Sequence, residues 1–322
     1  MESRSYWTTQ PGQGEIRTAT LDPPGEGQAL VRTLFSGISR GTESLVHRGL
    51  VPPEVRELMR APFQQGELPG PVHYGYLSVG VVEQGPAQLQ GKRVFCLYPH
   101  ADCYVVPTSA LTLIPDEVPS ERAILAGAAE TAINALWDAG PRFGDRIAVV
   151  GAGMIGGTLA ALLRRFPLQR LELIDPDPQR SQLAAALDVA WAPPQEATAG
   201  CDLVFHCSAH EEGLARGLEL LGDEGELIEM SWYGTAAPRV PLGADFHARR
   251  LRIRSSQVGA VSAARRARRT HAERMATAVA ALADPTFDAL LTGPVPFDEL
   301  PTVMDAVATG RAAAVCHIVS YP

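Results

Sequence analysis

Residues 146 to 163 read RIAVVGAGMIGGTLAALL, and this stretch decides the fold. The apolar run Ile147 to Val150 predicts a strand covered on both faces, as in a parallel sheet. It breaks at Gly151-Ala152-Gly153-Met154-Ile155-Gly156 and resumes with helical composition. In such a strand–turn–helix the first glycine permits the tight turn, the second lets a pyrophosphate approach the backbone, and the third lets helix pack on strand. The N–H groups at the helix start, Met154 and Ile155 among them, then face the diphosphate with the helix dipole behind them.

A second apolar run, Leu171 to Ile174, ends in Asp175, nineteen residues after Gly156. An acid there accepts hydrogen bonds from the adenosine ribose and repels a 2′-phosphate, so the pattern favours NAD over NADP. The competing reading is an ordinary glycine turn in an α/β protein that binds nothing.

Outward from this stretch the texture is uneven. Upstream, short apolar runs (Ala29 to Val31, Leu77 to Val82, Arg93 to Leu97, Tyr104 to Val106) alternate with Gly/Pro clusters such as DPPGEG and LPGP. Many short strands with turn punctuation predict a small barrel-like domain. Pro53 to Arg60 predicts a short helix with proline in its first turn. From Glu121 an alanine-rich helical stretch leads to the strand at Arg146. Strand and helix then alternate: helix over 177–187, strand over 202–207, helix over 211–221, strands over 225–230 and 251–255. That order predicts a doubly wound parallel sheet, a Rossmann domain. Ser262 to Leu282 reads as one long helix, and the last forty residues return to short proline-punctuated elements. The expected organisation is a dinucleotide domain over 131–258, inserted into a first domain made of 1–130 and 259–322.

The length of 322 residues fits about two domains. With 46% apolar and 20% charged residues the chain can fill real cores and is not disordered. A formal net charge of -8 argues against a general nucleic-acid binder. The five cysteines show no disulfide-framework spacing, the first residues lack a signal-peptide core, and no run approaches a membrane span. The expectation is a soluble cytoplasmic protein with reduced thiols that binds neither membrane nor nucleic acid.

The order of parts resembles the medium-chain dehydrogenase/reductase superfamily of the zinc alcohol dehydrogenase type, over essentially the whole chain. PPGEGQALVRTLFSGIS, GVVEQG and GKRVF are similar to its GroES-like catalytic domain, and FDELPTVMDAVATGRAAAVCHIVSY to its C-terminal return. SGISRGTE with the following GY is most like the bacteriochlorophyllide dehydrogenase-type branch. The fold class implied is α/β, a GroES-like β-barrel catalytic domain plus a doubly wound Rossmann domain. The activity implied is hydride transfer in the cleft between the domains, commonly in a homodimer.

The metal site is where the chain departs from the family. Gly37-Ile38 is followed by Ser39 where the family has its first zinc-ligand cysteine. Gly75-Tyr76-Leu77 stands where the family has Gly-His-Glu, and Glu130 matches the third ligand position. One carboxylate cannot hold a catalytic zinc, which takes three protein ligands and an open position. The four-cysteine lobe of the structural zinc is also missing, so no zinc is expected. Cys96-x3-His100-x2-Cys103 alone has ligand-like spacing; the alternative is two small buried cysteines beside a surface histidine.

Without a metal, a hydrogen-bond donor must handle the oxygen of an alcohol or ketone during hydride transfer. The resemblance points to Tyr76, with Ser39 as a second donor and Glu43 and Glu130 as proton acceptors, or as salt-bridged structural acids. Thr42 is a neighbouring polar residue. Arg40 is placed by the resemblance on the cofactor pyrophosphate. Trp232 and Tyr233 follow the fifth strand and either stack on a ring or fill space. Nine arginines and one acid lie between Arg249 and Arg274; a solvated face and a site favouring anionic substrates are both open.

The expected function is therefore zinc-independent, NAD-linked interconversion of a secondary alcohol and a ketone, and the resemblance allows a bulky substrate. Two alternatives stand beside it: a zinc-free quinone or enoyl reductase, and a non-catalytic NAD(H)-binding sensor.

Overall fold

The computed structural model describes residues 1–243 and 245–322. In chain order the strands are β1 (Glu2–Gln10), β2 (Gln13–Thr20), β3 (Gln28–Ser39), β4 (Gln65–Gly66), β5 (Val72–His73), β6 (Ser78–Gln84), β7 (Arg93–Cys96), β8 (Cys103–Pro107), β9 (Thr112–Leu113), β10 (Arg146–Val150), β11 (Arg170–Ile174), β12 (Ala190–Ala192), β13 (Cys201–His206), β14 (Leu221–Glu229), β15 (Arg252–Ser255), β16 (Leu291–Pro296) and β17 (Cys316–Ser320). The helices are α1 (Arg40–His47), α2 (Ser120–Ala123), α3 (Ala126–Ala139), α4 (Met154–Leu163), α5 (Arg180–Ala186), α6 (Glu211–Leu220), α7 (Asp245–Ala248), α8 (His271–Ala281) and α9 (Leu300–Ala308).

The chain forms two compact units. One comprises Met1–Gly127, Met275–Ala283 and Leu291–Pro322; the other comprises Ala128–Arg274 and Asp284–Leu290. The return to the first unit comes near residue 275, later than the expected 259. Arg274 explains the delay. Its buried guanidinium donates to the carbonyls of Val258 (2.6 Å) and Ala260 (3.1 Å) and to Glu130 and Asn134 on α3. That clamp holds the segment from 258 to 274 against the second unit.

In the first unit, β3 is the spine. It pairs antiparallel with β6, β8 and β17, within a sheet ordered β16-β17-β3-β6-β7-β9. Its apolar residues Ala29, Leu30, Val31 and Ile38 are buried, and the strand runs directly into α1. Ser39 is therefore fixed at a strand–helix junction, opposite Cys316 of β17. A second sheet, ordered β2-β1-β5-β4, completes the unit.

In the second unit the sheet order is β12-β11-β10-β13-β14-β15, with every pair parallel. The doubly wound sheet expected from the sequence is present. Its order reverses between β10 and β13, the crevice where open α/β sheets take ligands. Ile147 to Val150 are all buried, consistent with a strand covered on both faces. The three-residue β12 is too short to leave a periodic signal.

Two sequence expectations fail locally. Pro53–Val55 forms a single 3-10 turn, where a helix to Arg60 was expected. The long helix expected over 262–282 is α8 alone, preceded by an exposed turn carrying Arg265, Arg266, Arg268 and Arg269. Its start is set by a reciprocal cap. The Thr270 amide donates to Glu273 (2.8 Å) and the Glu273 amide donates to the Thr270 hydroxyl (3.2 Å). Extending the helix upstream would also stack four like charges on one or two turns. Among the described residues no helix is long and apolar enough to cross a membrane.

One buried group makes the first unit acid-sensitive. His73 stacks on Trp7 at 5.5 Å, and burial lowers its pKa from 6.5 to about 4. Between those values the unfolded chain binds the proton and the folded chain does not, so stability falls as pH falls. The full effect is about 3 kcal/mol. Denaturation midpoints measured from pH 7 to pH 4 should fall more steeply for the native protein than for His73→Gln.

Candidate functional site

The glycine turn is the first part. Gly151 has φ +106, and a Cβ there would lie 2.8 Å from the Ser208 amide nitrogen. At Gly156 a Cβ would sit 1.8 Å from the Gly151 carbonyl oxygen, so only glycine lets α4 meet the turn. At Gly153 a Cβ would meet nothing within 4 Å. Two glycines are required by the fold, and the middle one faces open space at the N-terminus of α4. Backbone N–H groups at the start of a helix can hold an anionic group such as a phosphate. Met154 and Ile155 follow as the first residues of α4.

Asp175 stands at the end of β11 beside this turn. Its carboxylate accepts the amides of Ala152 (2.8 Å) and Asp177 (3.0 Å). It braces the turn while lone pairs on both oxygens stay available for a ribose hydroxyl. On the other side of β10, the buried His206 is held by Glu229 at 2.8 Å and by the Ser208 hydroxyl at 2.7 Å. The Tyr233 hydroxyl donates to Glu229 at 3.2 Å, so this tyrosine is tied to the end of β14.

The second part lies in the first unit. The Tyr76 hydroxyl donates to Ser39 Oγ at 2.7 Å. The Ser39 amide donates to Glu43 Oε1 at 2.7 Å, and Glu43 Oε2 lies 2.8 Å from His100 Nε2. His100 Nδ1 is 2.7 Å from Ser36 Oγ, which is 2.9 Å from the Tyr321 hydroxyl. Gly75 permits this assembly: at φ +137, its Cβ position is 3.0 Å from the His100 ring. Burial raises the Tyr76 phenol to about 12, with the negative charge of Glu43 adding to the rise and hydrogen bonds to Ser39 and Thr42 opposing it. Tyr76 is therefore a standing donor through the neutral and mildly alkaline range.

Of the residues singled out in the sequence, Ser39, Glu43 and Tyr76 come together in this group. Arg40 opens α1 with its side chain exposed. Glu130 is engaged within the second unit, where it pairs with Arg274 at 3.1 Å. Burial pushes its carboxyl up, and Arg274 works against that rise. This placement matches the salt-bridged reading of Glu130.

His100, Ser36 and Tyr321 were not legible as site residues. His100 reads in the sequence as a possible metal ligand or as a surface histidine, yet it is 1% exposed. The signal available was its position between two apolar strands, where a polar residue needs a buried partner. Part of the arginine-rich stretch is also matched: Arg249 pairs with Asp223 and Asp245, Arg250 with Glu224, and Arg254 with Glu226. The acids lie outside the stretch, mostly on β14, which is why the sequence looked unbalanced.

The donor set does not suit the zinc that the resemblance implies. Ser39 and Tyr76 offer two neutral hydroxyls bonded to each other, and zinc sites use thiolate, imidazole and carboxylate. Cys103 Sγ points to the Glu2 carbonyl at 3.6 Å, and both nitrogens of His100 are engaged. Among the described residues no group of three His, Cys, Asp or Glu side chains forms a metal-ligand cluster.

No family model matches the chain and no curated protein matches it. Solved structures do. An L-idonate 5-dehydrogenase from Escherichia coli is 16% identical with a TM-score of 0.80, over 99% of this chain and 98% of that one. A 2R,3R-butanediol dehydrogenase from Bacillus subtilis is 15% identical with a TM-score of 0.79, over 99% of both chains. A short-chain alcohol dehydrogenase from E. coli CFT073, complexed with NADH, is 16% identical with a TM-score of 0.77, over 99% of both chains. What this chain has in common with these three dehydrogenases is the fold, along its whole length.

Proposed function

We propose that this protein is a zinc-independent, NAD(H)-dependent oxidoreductase that interconverts a secondary alcohol and a ketone. The observation that carries the reading is the glycine turn, closed at Gly151 and Gly156 and open at Gly153. A bound nicotinamide supplies or accepts the hydride. Gly153, Met154 and Ile155 hold the diphosphate, Asp175 takes the adenosine ribose, and Arg40 is a further pyrophosphate contact. Tyr76 donates its proton to the carbonyl oxygen in reduction and receives it in oxidation, with Ser39 fixing the hydroxyl. The likeness to alcohol, butanediol and idonate dehydrogenases supports this class of chemistry. It also supports membership in the medium-chain dehydrogenase/reductase superfamily, and the SGISRGTE segment favours its bacteriochlorophyllide dehydrogenase-type branch. On the same reading the protein works in the cytoplasm as a homodimer, on a small alcohol or ketone.

The test separates fold from ligand. Gly153→Val adds a side chain where the fold leaves room, so Tm should hold while NADH affinity, followed by fluorescence, drops about tenfold or more. Equal affinity would remove the glycine turn from cofactor binding. Turnover is then sought with secondary alcohols and ketones, using NADH and NADPH separately. Tight NADH binding with no turnover on any of them, nor on quinones or enones, would favour the sensor reading.

A further inference from the structure

The first unit contains a buried titratable pair that the proposed reaction does not use. Glu43 and His100 are 3% and 1% exposed. They contact each other at 2.8 Å, and His100 is the basic side chain hydrogen-bonded to this carboxylate. From His100 the contacts run through Ser36 to Tyr321, a half-buried residue next to the C-terminus. Toward Tyr76 the link is Ser39, whose amide donates to Glu43 and whose hydroxyl accepts from Tyr76. A backbone amide does not relay a proton. Any coupling between the pair and Tyr76 is therefore electrostatic.

We propose that His100 is a positioning residue for the Tyr76 phenol: hydrogen-bonded to Glu43, it sets how much negative charge stands behind Tyr76, and Ser36 and Tyr321 hold its ring in place. The inference rests on the reading of Tyr76 as proton donor. Its chemistry follows from charge placement. When Tyr76 gives up its proton, a phenolate forms near a buried carboxylate, and like charges in such a setting are costly unless one is compensated. The His100 hydrogen bond to Glu43 supplies the compensation, with Ser36 and Tyr321 fixing the imidazole from its Nδ1 side.

Other titratable groups frame both ends. Around Tyr76 stand Glu43, Thr42 and Ser39 from the β3–α1 junction, Cys316 from β17, and Tyr74, edge-on at 6.1 Å. Around His100 stand Ser36, Glu43 and Tyr6, the last edge-on at 6.3 Å. The His100 carbonyl accepts His73 Nε2 at 3.2 Å and the Tyr6 amide at 2.9 Å. Asp305 also bears on Tyr6, and it pairs with His47 at 3.6 Å.

The experiment places a difluorotyrosine, whose phenol is more acidic, at position 76 and follows its ionisation by fluorine NMR. Neither cofactor nor substrate is needed. Glu43→Gln keeps the shape and should lower the titration midpoint by about one pH unit. His100→Gln should shift the midpoint while Glu43 is present and leave it unmoved in the Glu43→Gln background. Ser36→Ala, which removes only the outer link, is a milder variant and should shift it less than His100→Gln. In turnover, His100→Gln should move the pH profile of kcat with KM little changed. A midpoint unmoved by His100→Gln, or moved equally in both backgrounds, overturns the proposal. Absence of turnover on every alcohol and ketone would sink the activity and leave the midpoints to judge His100.

Discussion

Tyr76→Phe should lower kcat about 100-fold or more while leaving NADH affinity unchanged. The ring is kept, so its edge contact with Tyr74 survives, and only the hydroxyl that donates to Ser39 is lost. Ser39→Ala should cost less, because it loosens the hydroxyl without removing it. The pH dependence adds a check. With the phenol held at about 12 by burial and by Glu43, the rate in the reductive direction should show no fall from loss of the Tyr76 proton in the neutral and mildly alkaline range. A Tyr76→Phe enzyme with native turnover would remove this residue from the mechanism and return attention to Ser39.

Arg274→Met should be the most destabilising of the substitutions considered. The guanidinium is 1% exposed and donates to Glu130, Asn134 and two backbone carbonyls. Removing one partner of a buried pair leaves an uncompensated charge, at a cost of about 3–5 kcal/mol. The Glu130→Gln/Arg274→Met double variant should recover part of that loss, since the stranded carboxylate is gone. Urea unfolding measures both. The same variants decide what Glu130 does. If it is a structural acid, Glu130→Gln lowers stability with kcat nearly intact; if it is a proton acceptor, kcat falls at preserved stability.

The second unit was legible almost strand by strand because parallel sheets bury both faces and leave continuous apolar runs such as IAVV, with glycine marking the turn. The GAGMIG spacing also carried its own three-dimensional meaning, since each glycine answers a separate steric demand. The first unit was legible only as many short strands. Its site is assembled from residues far apart in sequence, Ser36 and Ser39 on β3, Tyr76 before β6, His100 in a loop and Tyr321 at the end. No local pattern encodes such contacts. The same holds for Arg274, whose role looked like one more charge in a basic run until its acceptors at 130, 134, 258 and 260 came together.

The turn from Gly151 to Gly156 has a consequence for how quickly and cheaply a ligand could be taken up. The Gly151 amide is bonded to Ile174 at 2.8 Å and the Ala152 amide to Asp175 at 2.8 Å, while α4 is pressed against the Gly151 carbonyl through Gly156. The loop is locked to the neighbouring strand by the protein's own hydrogen bonds. Little conformational entropy is left to lose on association, so most of the contact energy is free to appear as affinity. The amides of Gly151 and Ala152 should be correspondingly slow to exchange with deuterium, at a level closer to the sheet core than to a surface loop.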